Sequence, residues 1–134
     1  MKYDAFVSRV QNSARLASTD EAVKAIGATL EVLGERLVRG EAEDLAAQLP
    51  SEIGRYLLET QQTRRFDLKE FFNRVSEREG VDLPTATHHA RVVLSVLTEA
   101  VSPGEIKDIL SELPAEFHDL FKPAVEEVLS ERHS

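Results

Sequence analysis

VLGERLVRGEAEDLAAQLPSEI, residues 32–53, and VLTEAVSPGEIKDILSELPAEF, residues 96–117, lie on one another without a gap. Identities fall at Val32/Val96, Leu33/Leu97, Glu35/Glu99, Gly40/Gly104, Glu41/Glu105, Asp44/Asp108, Leu49/Leu113, Pro50/Pro114 and Glu52/Glu116, all in one register. That register extends over Ala22–Leu57 against Ala86–Phe121. Upstream, Phe6, Arg9 and Val10 match Phe71, Arg74 and Val75 with the register moved by one position, and Tyr3-Asp4 echoes Phe66-Asp67 with it moved the other way, so the first helices should differ slightly in length. This pattern predicts two tandem pseudo-repeats, 3–61 and 66–122. Two units are fewer than a solenoid needs, so the halves should close on each other around one core, making 1–134 a single domain.

Within each unit the apolar period is helical. Ile26, Leu30, Leu33 and Leu37 recur at spacings of three and four, as do Ala90, Val93, Leu94, Leu97 and Val101, which is the core-facing stripe of an amphipathic helix. Ser18-Thr19-Asp20-Glu21 and Ser102-Pro103-Gly104-Glu105 read as capping boxes, the serine hydroxyl accepting from an orphan amide and the glutamate reaching back. Asp67 reads as a further cap, with Glu70 three residues on and Phe66 and Phe71 placed for a hydrophobic staple. Pro50 and Pro114 suit the first turn of a new helix. The spans predicted are 4–15, 20–38, 41–48 and 51–61, then 68–79, 84–101, 104–112 and 115–121. A short C-terminal helix, 123–132, presents Val125, Val128 and Leu129. The fold class expected is an all-α compact bundle of about eight helices plus that terminal helix.

The repeated Gly-Glu…Asp…Leu-Pro signature, with Tyr3-Asp4, Phe6 and the helix Ala22–Leu37, resembles the domain-of-unknown-function family 2267, small bacterial proteins without an established activity. The resemblance covers nearly the whole chain. It implies an all-helical fold of duplicated units and supplies no catalytic residues. The first copy departs from the second at Val38-Arg39, where Ser102-Pro103 stand in the other, so the first of these caps should be the looser.

Composition narrows the function. With 42% hydrophobic and 30% charged residues among 134, the chain has globular composition. It contains no cysteine, which excludes disulfides, thiolate metal sites and cysteine nucleophiles and makes the cytoplasm the expected compartment. No stretch reads as a signal peptide or approaches the roughly 20 apolar residues of a spanning helix. The net charge of −8 repels phosphates and anionic lipid, and Arg64-Arg65 is too small a basic spot to overcome it.

The candidate sites are few. Glu41 and Asp44, with Glu105 and Asp108, could form a quasi-symmetric carboxylate cluster for Mg²⁺ or Ca²⁺, although acids in a first helical turn ordinarily serve the helix dipole. His88 and His89 point about a hundred degrees apart on a helix and cannot share one ion, so one should pack and the other face solvent. His118 aligns with Gly54. Phe66, Phe71, Phe72, Phe117 and Phe121 could line a pocket, but Phe71, Phe117 and Phe121 align with Phe6, Ile53 and Leu57, which assigns them to the core. Glu-x-x-His, GxSxG, HExxH and glycine-rich phosphate loops are absent from the sequence. No cofactor, metal or catalytic residue is assigned. The function expected is a non-enzymatic helical interaction module, adaptor or regulatory, that engages a protein partner or itself through Val125, Val128 and Leu129. The alternatives are a DNA-binding helical protein, because the Leu-Pro turns resemble a helix-turn-helix, and a small-ligand or metal-binding protein or enzyme.

Overall fold

The computed structural model describes residues 1–60 and 62–122, and every regular element among them is helical. In chain order these are α1 (Tyr3–Ala14), α2 (Thr19–Arg36), α3 (Arg39–Ala47), α4 (Ser51–Gly54), the 3₁₀ helix η1 (Arg55–Leu58), α5 (Leu68–Glu79), α6 (Leu83–Ala100), α7 (Pro103–Glu112) and the 3₁₀ helix η2 (Ala115–Leu120). The first helices of the two units, expected to differ slightly in length, have 12 residues each. The other spans expected from periodicity hold to within a few residues, with two further corrections. The stretch 51–61 is α-helical for one turn only and ends as 3₁₀ at Leu58, and 115–120 is 3₁₀ throughout. Both follow a Leu-Pro break and are short, and at that length the tighter 3₁₀ turn competes with α. Residues 123–132, with Val125, Val128 and Leu129, lie outside the described residues.

Cap chemistry explains most boundaries. The hydroxyl of Ser18 accepts from the Glu21 amide at 3.2 Å, while the Glu21 carboxylate reaches past Ser18 to the Ala17 N–H. Asp67 accepts from the Glu70 amide at 2.9 Å as expected. Asp82 caps α6 through the Thr85 amide at 2.9 Å, ahead of Pro84; hydrogen bonding from Thr85 holds the Asp82 carboxyl below the usual range. The box at Ser102 is only half made. Its hydroxyl accepts from the Glu105 amide at 3.2 Å, but its own N–H donates to Gln48 Oε1 at 2.8 Å, which leaves the Glu105 carboxylate unused as a cap. Helix α1 ends on Arg15 at φ 57° and α5 on Gly80 at φ 75°, both left-handed.

The core sits among α1, α2, α5 and α6, which pack pairwise. Phe6, Val10, Ile26, Leu30, Leu33, Leu37, Phe71, Val75, Val93, Leu94 and Leu97 are buried there. Each such leucine or phenylalanine contributes about 2–3 kcal/mol relative to exposure. Phe71 stands edge-on to both Phe72 and Phe117, with ring centroids 5.9 Å apart in each case. The first and second halves interlock at their rims: Arg9 on α1 pairs with Glu99 on α6, and Arg74 on α5 pairs with Glu35 on α2 at 3.2 Å. Helix α3 lies against α7, and η1 lies on α2.

Candidate functional site

Helices α3 and α7 lie side by side with the start of each at the end of the other. The Val38 N–H at the α3 cap donates to the Glu112 carboxylate of α7, and the Ser102 N–H at the α7 cap donates to Gln48 of α3. Val38 aligns with Ser102, and Gln48 with Glu112, in the register of the repeat. This exchange lets the neighbouring acids face one another. Carboxylate oxygens of Glu41, Glu105 and Asp108 lie within 4.8 Å of one another. Glu105 is only 7% exposed, and Oε2 of Glu105, Oε1 of Glu41 and Oε2 of Glu112 are buried without a hydrogen-bond partner.

Burial, followed by the Glu41 carboxylate and the charges of Asp44 and Asp108, pushes the Glu105 carboxyl up to about 7. Burial likewise raises Glu112, against the Val38 amide and Arg36, which oppose the shift. None of Glu41, Asp44, Glu105, Asp108 and Glu112 pairs with a lysine or arginine among the described residues. Glu41 and Glu105 lie in the first turns of α3 and α7, as expected for acids that serve helix starts, and they also share the junction. Asp44 and Asp108 are exposed, and Glu41 and Glu105 turn toward each other.

A second polar centre joins α5 to α6. His89 is buried and its Nδ1–H donates to Glu79, itself 4% exposed. The acceptor being a carboxylate fixes the proton on Nδ1. The pair borders a mostly apolar cleft of about 340 Å³ that Leu16, Val81 and Thr85 also line. His88 is exposed and His89 packed, so the expected division between a packed and a solvent-facing histidine holds. From sequence His89 reads as a packing residue alone, because its carboxylate partner belongs to another helix.

A third feature is a groove of about 330 Å³ over α6, lined by His88, Arg91, Val92, Ser95, Val96 and Glu99, with Ser13 of α1 and Leu120 of η2. Its origin is a set of small-residue differences between α2 and α6. On α2, a Cβ at Gly27 would stand 3.0 Å from the Tyr56 ring and one at Gly34 would stand 2.2 Å from the Leu57 carbonyl oxygen, so glycine alone lets η1 lie on the helix. The aligned positions in the second unit are Arg91 and Thr98. Larger side chains thus stand where glycines lie under η1, and among the described residues the groove runs beside Arg91 with Leu120 of η2 at its border. The Arg91 guanidinium lies over the Phe72 ring at 5.5 Å, a contact that accounts for this phenylalanine.

The remaining candidates are structural. His118 Nε2–H donates to the carbonyl oxygens of Leu110 and Leu113 at 2.9 and 3.2 Å, and Phe117 and Phe121 are buried. Phe66 is half-buried with the guanidinium groups of Arg36 and Arg74 against its ring. Arg64 and Arg65 are exposed. No described helix is long and apolar enough to cross a membrane.

The family model of an uncharacterized conserved protein, DUF2267, matches residues 3–120. No curated protein matches the chain. The match runs from the first residue of α1 to the last of η2, and the chain belongs to that family.

Proposed function

We propose that this DUF2267 member is a non-enzymatic interaction module, an adaptor or regulatory protein, whose contact face is the α6 groove together with the segment that follows Lys122. The observation that carries the reading is the groove: Val92, Val96 and Leu120 line an opening at the place where, in the first unit, η1 covers α2. Glu99 is engaged by Arg9, and Asp119 by Lys122 at 3.1 Å, while His88, Arg91 and the hydroxyls of Ser13 and Ser95 stand along the groove as donors. The sequence Ala124–Arg132 offers matching chemistry, with Val125, Val128 and Leu129 at helical spacing and Glu126, Glu127 and Glu131 as acceptors. An amphipathic helix of that character, from this chain or from a second copy, buries its apolar stripe in such a groove.

The wider reading is of two units, 3–61 and 66–122, descended from one duplicated ancestor. The exchanged caps and the paired Arg9–Glu99 and Arg74–Glu35 contacts support it. A cysteine-free acidic protein of this kind suits the bacterial cytoplasm, and its net charge of −8 argues against nucleic acid as the partner. The test compares the full chain, the Arg91→Glu variant and a chain ending at Lys122 by native mass and thermal melting. Truncation should change the oligomeric state or lower Tm by several degrees, and Arg91→Glu should do the same in part. A truncated chain of unchanged mass and Tm rejects the reading.

A further inference from the structure

We propose that the junction of α3 and α7 binds one hard divalent cation, with Glu41, Glu105 and Asp108 as its protein ligands and calcium as the best fit. The donor set is all carboxylate, which selects an oxygen-seeking ion over zinc or copper. Calcium holds oxygens at about 2.3–2.6 Å, so ligands on opposite sides of it stand about 5 Å apart, whereas magnesium draws them to about 4.2 Å. Oxygens of the three carboxylates lie within 4.8 Å of one another, near enough for small side-chain movements to bring them onto one ion, and the flexible shell of calcium tolerates such a set better than the strict octahedron of magnesium.

The independent sign of a ligand is Glu105. It is 7% exposed, reaches into the junction rather than back to its own cap, and leaves Oε2 without a partner. An ionised carboxylate removed from water and left unpaired is costly, and Glu41 adds a second unpartnered oxygen in the same place. The usual remedy, an ion pair with arginine or lysine, is missing from the described surroundings. Helix dipoles supply only about half a charge at each helix start, too little for Glu41, Glu105, Asp108 and the neighbouring Asp44 and Glu112. A bound dication satisfies the orphan oxygens and joins the two halves of the chain at one point, with water completing its shell.

Calorimetric titration of calcium chloride into the chelator-treated full chain at pH 8 tests this. One equivalent should bind with Kd on the order of 10–100 μM, and Tm should rise by several degrees at about 5 mM calcium. Magnesium should bind at least tenfold more weakly. Glu105→Gln and Glu41→Gln should each weaken calcium at least tenfold, and Glu77→Gln, an exposed acid on α5, should leave it unchanged. Retention of binding by Glu105→Gln overturns the site. So does the lack of both heat and a Tm shift in the parent chain, the result expected if a proton alone neutralises the pair.

Discussion

Residues 3–58 and 68–120 use the same order of helices and nearly the same helix lengths, 12 and 18 residues for α1 and α2 and again for α5 and α6, yet they finish differently. In the first region η1 is pressed onto α2 over Gly27 and Gly34. In the second, Arg91 and Thr98 stand at those positions, and among the described residues a groove lies between α6 and Leu120 of η2. At Gly54 a Cβ would stand 2.8 Å from the Ala46 carbonyl oxygen, so the backbone closes directly; at the corresponding His118 the imidazole spans the gap and bonds the Leu110 carbonyl. Closeness of approach is thus decided by single side chains on an otherwise shared frame.

The largest effect should come from the polar pair that only the second region contains. Ala14 and Ala25, both buried, are the counterparts in the first region of Glu79 and His89. His89→Ala strands a buried carboxylate and should cost about 3–4 kcal/mol in denaturant unfolding. The double variant Glu79→Ala/His89→Ala copies the first region and should recover much of that loss. A double variant as unstable as the single would show that the deficit is a cavity and not a stranded charge.

Next comes the contact that the first region alone makes. Gly34→Ala forces its Cβ against the Leu57 carbonyl oxygen and should cost about 3 kcal/mol. Thr98→Ala on α6, at the aligned position, should be nearly neutral, because it removes atoms rather than forcing a Cβ into a backbone carbonyl and alanine is the better helix former. Equal losses at the two positions would abolish the distinction between the two regions.

The junction where the two regions meet should answer to pH. The Glu105 carboxyl, raised to about 7 by burial and by Glu41, binds a proton more tightly folded than unfolded. Without added cations, Tm should therefore rise by a few degrees as pH falls from about 8 toward 5, and Glu105→Gln should be the more stable form at pH 8 with this slope removed. A parent chain with no such slope would place the Glu105 carboxyl in the ordinary range. The smallest effect is at the helix ends. Arg15 holds the left-handed conformation that Gly80 holds without penalty, so Arg15→Gly should raise stability by about 1 kcal/mol in the same unfolding assay.

Much of this was legible in the chain. The stripes at Ile26–Leu37 and Ala90–Val101 marked the long helices, and Ser18, Asp67 and Ser102 marked helix starts, because helical period and capping act over three or four residues. The acids at 41, 44, 105 and 108 were legible as a set, but their arrangement was not. Glu105 has the spacing of the reciprocal half of a capping box, and only the packing of α3 on α7 brings in Gln48 to satisfy the Ser102 amide in its place. Asp82 escaped notice as a cap although it immediately precedes Leu83-Pro84, a signal the sequence did contain. Gly34 carries no local signal, since a glycine inside a helix announces neither which backbone will approach it nor how closely.

The sequence by itself determined that the chain is helical, where its longer helices run, which face of each is buried, and that the two ends of the family match share a pattern. Only the tertiary structure decided which acids meet at the α3–α7 junction, that His89 and Glu79 form a buried pair, and that α2 is covered by η1 whereas, among the described residues, α6 borders a groove. The reason is physical. Period, caps and prolines act through neighbours along the chain, whereas burial of a charge and the fit of a backbone against a glycine depend on helices brought together by the core.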